Sequence, residues 1–371
     1  MADYLILYRK LSEAQQEADI GNGETVPPPP CSMSYYEVLS RNPYLNGRDD
    51  VFHKVGIVDG RIGGDAYIFP LKLFCRGDVH QVCAGSNLNV HPWARKSGLG
   101  FGFCEFDDNH RDGAHEIFIG AGLSQIAVKV HRFIGYRIFT YPRFVMLLKS
   151  RSVLEMKFHG WMLTCASALV DSLIAGYSFV VRAVLGVFSR GVTVCPVDPC
   201  NATQVLELER LANAEQRPFH EIHDAQWFKW VLTNSFSKDG PVRAYIVRRK
   251  DRNVAFYMTK IRFHEQASHR GFKNVWLGSV IEWGAEKGFE KVLLRVLVRF
   301  ALSMRKKLDA IEFATPDKVQ QGFLKRLGWR HIGEMTACYM VRPNGAFVEP
   351  PEMSLCENWR LRPAMGDCAL N

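Results

Sequence analysis

The chain has 371 residues, a net charge of +9, and is 47% hydrophobic and 23% charged. That length exceeds what one compact domain usually holds, and the apolar content supplies packed cores, so two globular domains are expected and disorder is not the default reading for most of the chain. Residues 1–150 carry 16 basic and 16 acidic side chains, so the whole positive excess falls in 151–371, which favours an anionic partner or a solvated basic surface.

In chain order, Asp3–Lys10 reads as a strand and Leu11–Asp19 as a short helix. Gly21–Pro30 is a loop, because its proline run cannot donate ladder hydrogen bonds, and Ser32–Ser40 reads as helical. Three strands follow at Phe52–Val58, Gly64–Leu73 and Val79–Val90, the first two joined by an Asp59-Gly60 hairpin turn. A Gly-rich turn at Ser97–Gly100 opens a helix to about Phe106. Glu116–Gly120 is a short strand, Ser124–Ile134 a helix with Ser124 as N-cap, and Arg137–Leu148 a strand. A helix over about 152–188 follows. Its apolar run Gly160–Phe188 is interrupted by Asp171 and Arg182, both costly inside a membrane span, so it reads as a largely buried connecting helix. Lys157, His159, Arg182 and Arg190 flank it, and weak peripheral membrane contact is the alternative.

The second half repeats this order. Strands are expected at Thr193–Val197, Val242–Arg249, Val254–His264, Asn274–Trp283, Ala310–Ala314 and Trp329–Val341. Helices are expected at Ala202–Ala214, Asp224–Leu232, Glu286–Leu308 and Asp317–Leu327. Asp59 aligns with Asp251 and Ile134-Gly135 with Leu327-Gly328, at offsets of 192 and 193, which points to a duplication.

The stretch that carries chemistry runs from Asn87 to Gly100. A strand ends at Val90, Pro92 stops its ladder, and a small-residue turn enters a helix. Backbone N–H groups left unpaired there form an anion site. Gly98 and Gly100 let a phosphate approach the backbone, and Arg95 and Lys96 add charge at the rim.

Arg95-x-x-Gly98-x-Gly100 after a strand resembles the Arg/Gln-x-x-Gly-x-Gly/Ala signature of the GNAT superfamily of N-acetyltransferases. The resemblance implies that Arg95, Lys96, Ser97, Gly98, Leu99 and Gly100 hold the pyrophosphate of acetyl-CoA, and that Leu88 and Val90 offer backbone groups to its pantetheine arm. Ser124-x-x-Ala127-x-x-x-His131-x-x-x-Gly135-Tyr136 fits the family's following helix, with Ser124 in place of Asn and His131 in place of the Tyr that protonates the departing thiolate. Glu116 stands where a base acting through water is expected. The second copy lacks this loop. It reads Gly284-Ala285-Glu286-Lys287-Gly288-Phe289, and Leu324 matches His131, so it is expected to have lost cofactor binding. The tail Asn358–Asp367 resembles that of GNAT proteins of bacterial polysaccharide biosynthesis, which implies an amino sugar as acceptor.

The expected fold is therefore α/β (α+β), with two GNAT-like domains, each a mixed, mostly antiparallel sheet flanked by helices, joined by a long linker helix. Expected limits are 1–150 for the acyl-CoA-binding domain, 151–191 for the linker, 192–345 for the degenerate domain and 346–371 for the tail. The expected activity is acetyl transfer from acetyl-CoA to a small-molecule amine. An aminoacyl-tRNA-dependent transferase resembling the Fem family and a non-catalytic CoA-binding scaffold are the rival readings. No zinc-finger spacing or aromatic-plus-basic pattern is present, so no specific nucleic acid and no metal are expected. Ten scattered cysteines without a CxxC pair read as reduced, mostly buried thiols. Asp3 sits where a secretory leader needs positive charge, so the cytoplasm is the expected compartment.

Overall fold

The computed structural model describes residues 4–10, 38–45, 52–104, 115–155, 157–215, 217–234, 241–267, 272–342 and 345–365. The strands are β1 (Tyr4–Lys10), β2 (Phe52–Val58), β3 (Arg61–Cys75), β4 (Asp78–Val90), β5 (Ile117–Ala121), β6 (Arg137–Leu147), β7 (Val192–Pro196), β8 (Phe219–Glu221), β9 (Arg243–Arg249), β10 (Arg252–Ala267), β11 (Phe272–Ala285), β12 (Ala310–Ala314) and β13 (Arg330–Val341). The helices are α1 (Leu99–Cys104), α2 (Gln125–Ile134), α3 (Arg151–Leu154), α4 (Gly160–Phe188), α5 (Ala202–Ala212), α6 (Ala225–Asn234), α7 (Glu290–Ser303) and α8 (Lys318–Arg326). The helix expected at Leu11–Asp19, the proline loop and most of Ser32–Ser40 lie outside the described residues.

Two compact units result, and neither is contiguous in sequence. Unit 1 comprises 1–140, 217–222 and 336–371; unit 2 comprises 141–216 and 223–335. The limits differ from the contiguous segments expected, because β6 carries the chain out of unit 1 and β13 carries it back.

In unit 1, β1 to β4 form an antiparallel meander. Asp59 (φ 50°) and Gly60 (φ 72°) link β2 to β3, and positive φ at both central residues is the type I′ geometry that suits strand twist. β5 runs parallel to β4, and the end of β13 pairs antiparallel with β5, from Ala337↔Ala121 to Val341↔Ile117. β8 adds to β3. The tail, set apart in the sequence reading, belongs to this unit's core. Trp359 is 2% exposed and packs near Phe139, Phe219 and Tyr339 at ring separations of 5.2 to 5.5 Å.

In unit 2, β11, β10 and β9 form an antiparallel meander, β7 pairs with β9, and β12 lies parallel to β11 and antiparallel to β6. Its element order of meander, helix, strand, helix and strand repeats that of unit 1. Gly135 (φ 107°) and Gly328 (φ 77°) both end a helix in the left-handed region, as their offset of 193 requires. The hairpin match shifts by one residue: Lys250 (φ 56°) takes the first turn position, so it is Lys250, not Asp251, that corresponds to Asp59.

Helix α4 lies within unit 2 and departs from expectation. It packs along one stripe, with Leu163, Ser178 and Leu185 buried, and leaves its other face open; only 11% of its most apolar window is buried. It is the one helix among the described residues long and apolar enough to cross a membrane. Of the described cysteines, Cys75, Cys83, Cys104 and Cys338 are buried, Cys165 and Cys200 are exposed, and all are free thiols.

Candidate functional site

The site in unit 1 begins with an irregularity in β4. Asp65 pairs with Asn89 and Tyr67 with Ser86, so β4 carries one more residue than β3 over this interval, a β-bulge at Asn87–Leu88. β4 pairs with β5 only at Cys83↔Phe118 and Ala84↔Ile119, yet β4 runs on to Val90 and β5 to Ala121. Beyond the paired residues no further β4–β5 pairing is made among the described residues, and the two parallel strands part. Phe118 closes the paired end: a Cβ on Gly85 would lie 2.6 Å from Phe118 Cζ, so only glycine leaves the ring its place.

The chain then turns through Pro92–Ala94 into α1. Ser97 Oγ donates to the Ala94 carbonyl (2.8 Å) and accepts from the Leu99 amide (3.2 Å), which fixes the turn from inside. Leu99 is fully buried in a cluster with Val58, Ala66, Ala94 and Phe103, and anchors the loop to the sheet. Gly98 has φ 92°, a left-handed conformation strained for any residue with a Cβ. Among the described residues, the Gly98 and Gly100 amides donate to no protein acceptor. A Cβ on Gly100 would meet nothing nearer than Val90 Cγ2 at 3.9 Å, so the approach to this backbone is open. Arg95 and Lys96 are exposed at the rim, Arg95 Nε donating to the Val90 carbonyl at 3.3 Å. Two amides without an acceptor among the described residues, in the same loop as two exposed cations, can hold an anion.

Apart from Glu116, the sequence-predicted residues fall into two groups. Leu88, Val90, Arg95, Lys96, Ser97, Gly98, Leu99 and Gly100 are contiguous along the bulged strand end and its loop, with Ser97 and Leu99 turned inward as supports. Ser124 and His131 lie on α2, which reaches α1 through the Phe101–Phe133 ring contact at 5.6 Å. Ser124 caps α2 by accepting from the Ala127 amide at 3.2 Å.

His131 is 5% exposed, and its ring meets Tyr136 edge-on at 4.6 Å. Nδ1 lies 2.8 Å from the Ala127 carbonyl. A carbonyl only accepts, so Nδ1 carries the proton and Nε2 presents a lone pair. Burial pushes the imidazole below its ordinary value, the Ala127 bond opposing it more weakly. A neutral ring with Nδ1–H engaged accepts a proton. In this form Nε2 must take up a proton before it can give one to a leaving thiolate.

Glu116 is a correction. It precedes Phe118 by two residues, and Phe118 pairs with Cys83, so Glu116 stands at the opposite end of the parallel pair from the splay. Leu88 is about 23 Å further along the strand direction, at about 3.3 Å per residue. The Glu116 carboxylate accepts from the amides of Ala346 (3.0 Å) and Phe347, and its backbone carbonyl from Arg342 (2.7 Å). It holds the segment after β13 instead of serving as a base.

The bulge, the closing ring of Phe118 and the cap by Ser97 were missed from sequence. Gly85 and the alternating Asn87 and Asn89 were the available signal, since glycine and polar residues interrupting a strand mark bulges.

No protein-family model and no curated protein matches the sequence. Solved structures do. Saccharomyces cerevisiae N-myristoyltransferase with bound myristoyl-CoA superimposes with a TM-score of 0.56 at 12% identity, over 92% of this chain and 80% of that one. A GCN5-related N-acetyltransferase from Anabaena variabilis gives 0.53 at 12% identity, over 91% and 73%. A probable N-acyltransferase from Enterococcus faecalis gives 0.50 at 11% identity, over 91% and 72%. At such identities the likeness speaks for architecture alone, and on that ground the protein has the fold of the GNAT superfamily.

Proposed function

We propose that the protein is an acyl-CoA-dependent N-acyltransferase whose donor lies in unit 1, along the open end of β4 and β5. The bulge at Asn87–Leu88, followed by a loop whose Gly98 and Gly100 amides have no acceptor among the described residues, is the observation that carries this reading. The freed edge of β4 suits the amides of a pantetheine arm. The loop amides, with Arg95 and Lys96 beside them, suit a diphosphate. The acyl group in this reading is acetyl and the acceptor a small-molecule amine. The amine attacks the thioester carbonyl, the C–S bond breaks with CoA leaving as its thiolate, and the surplus ammonium proton passes to His131 Nε2 directly or through water and from there to the thiolate, which restores the neutral imidazole.

An amino sugar as acceptor keeps only the support of the tail's resemblance. Trp359, Arg360, Leu361 and Arg362 are each at most 3% exposed, and serve the packing of unit 1. A second reading, acyl-CoA binding without turnover, is favoured by the burial of His131 at 5% exposure.

Titration calorimetry of acetyl-CoA into wild type and Gly100→Trp tests the proposal. The open space at Gly100 lets the variant fold while its indole fills the approach. One site per chain, lost in the variant, is expected. Two sites per chain, or unchanged binding in the variant, refutes the placement. Release of free CoA thiol in the presence of an amine panel separates transfer from binding alone.

A further inference from the structure

Helix α4 is inverted relative to a helix that faces water. Its inward stripe, at helical spacing, includes Leu163, Ser167, Asp171, Ser178 and Leu185. Asp171 is held from the protein side: the Ser150 amide donates to its carboxylate at 2.7 Å, and Arg305 donates to its carbonyl. The outward half of the helix carries Trp161 (76% exposed), Leu169 (65%), Leu173 (67%), Phe179 (76%), Val187 (57%) and Phe188 (62%). At 3.6 residues per turn these residues share an arc of about half the circumference, and no ionisable carboxylate or amine lies on that arc. A contiguous apolar surface of this kind marks an interaction site.

The serine hydroxyls of α4 are also turned inward on the helix itself. Ser172 donates to the Ala168 carbonyl (2.7 Å), Ser178 to Ile174 (2.6 Å) and Ser167 to Thr164 (3.1 Å). None of these donors needs water, which lowers the cost of placing the helix in a medium without it.

Cations flank this face. Lys157 precedes the helix and Arg190 follows it. Along one flank a cavity of about 1150 Å³ is lined by Arg182, Arg299 and Lys306. Among the described residues none of these three has a carboxylate partner, and Asp171 is the only carboxylate in the lining. An apolar face bordered by unpaired cations is complementary to an anionic amphipathic surface.

We propose that α4 docks unit 2 on the surface of an anionic lipid bilayer, lying in the plane of the interface. A second copy of the chain fits less well, because a symmetric interface would bring the same cations against each other. A crossing helix would have to detach the Ser167–Asp171–Ser178 stripe from unit 2 and place Asp171 and Arg182 in hydrocarbon. The inference is independent of the acyl-transfer reading, since every residue it uses lies in unit 2.

Co-sedimentation of the full chain with vesicles tests it, using phosphatidylcholine alone and mixed with phosphatidylserine. Binding to the mixed vesicles that weakens as salt rises is expected, with roughly tenfold or more weaker binding to the neutral ones. Leu173→Glu with Phe179→Glu, both on the exposed arc, is expected to abolish binding with an unchanged circular dichroism spectrum. Arg182→Glu with Lys306→Glu leaves the apolar face intact and is expected to weaken binding to the anionic vesicles only. Four results each overturn the proposal: no binding by wild type, equal binding to both vesicles, a stable dimer in light scattering that the Leu173/Phe179 variant dissociates, or vesicle association that high salt and carbonate fail to release and only detergent does.

Discussion

The Ser97–Gly100 loop, where the donor is proposed to bind, stands on Leu99, and the contact between Leu99 and Gly56 allows that to be measured. Leu99 is fully buried beneath the loop. A Cβ on Gly56 would be in collision with Leu99 Cδ1, 2.6 Å from Leu99 Cδ2 and 2.8 Å from Phe103 Cζ. Gly56 is not among the residues of positive φ, so alanine there is strained by space and not by backbone. Overpacking of this kind costs about 1–3 kcal/mol. Leu99→Ala opens a cavity instead and costs about 2–5 kcal/mol. The methyl groups removed in Leu99→Ala are the ones that Gly56→Ala strikes, so the double variant should be more stable than the sum of the two by about 1–2 kcal/mol, with Phe103 retaining part of the clash. Urea unfolding of the four proteins measures the cycle. The donor affinity should follow the same order, because the loop amides are held in place by this packing. Additivity within about 0.5 kcal/mol would refute the reasoning, since it would mean that β2 moves away and Leu99 never feels the added methyl.

Other consequences are simpler to read. His131 titrates in the folded protein below its ordinary value, so the unfolded chain takes up its proton first as pH falls; the stability it contributes is complete above about pH 6.5 and is lost below it, a loss that His131→Phe should remove from the pH profile of the thermal midpoint. Glu116→Gln weakens the acceptors for the amides of Ala346 and Phe347 and should cost about 1–3 kcal/mol in denaturant while leaving kcat/KM for acyl transfer unchanged. His223→Ala leaves Glu282, which is 0% exposed, without the imidazole 2.6 Å from its Oε2, and should destabilise unit 2 by about 3–5 kcal/mol in equilibrium unfolding.

Local order was legible because local chemistry dictates it. The Asp59-Gly60 turn, the Ser124 cap and the Gly135 terminus each follow from what one or two residues can do with their own backbone, and all three stand as expected. The loop was legible for the same reason, since Gly98 at φ 92° needs no partner elsewhere in the chain to explain it. What was illegible depends on long-range pairing. Glu116 looked like a base beside an acyl group until the Cys83↔Phe118 register set it at the other end of the strand pair. The tail read as an appendage, yet Trp359 is core, and the segment it packs with is 140 residues away at Phe219. The exposure of α4 could not be read either. An apolar run has the same composition whether a protein or another medium covers it, and only the polar stripe at Ser167, Asp171 and Ser178 tells the inner side from the outer.

Unit 2 has parted strands of the same kind with different side chains beside them. Met258 pairs with Glu282 and Thr259 with Val280, so β11 also carries a bulge, at Ile281, and its parallel pairing with β12 ends at Val280↔Phe313. The backbone is thus prepared as in unit 1, but the side chains beside it are those of a core. Trp283 stacks toward Phe313 at 4.3 Å, both at most 2% exposed, and Glu282 faces His223 behind them. In the following loop Glu286 is bridged by Arg210 (2.6 Å) and Arg252 (2.7 Å). Burial pushes its carboxyl up, and the two arginines together hold it below the ordinary range, so a fixed negative charge occupies the cations a phosphate would use. Leu324, 1% exposed, fills the position of His131 and can move no proton. The bulge parts the strands in both units; among the described residues, the side chains of unit 2 fill the space beside it, whereas in unit 1 the approach to the Gly100 backbone is open, which is why the proposed donor site is placed there.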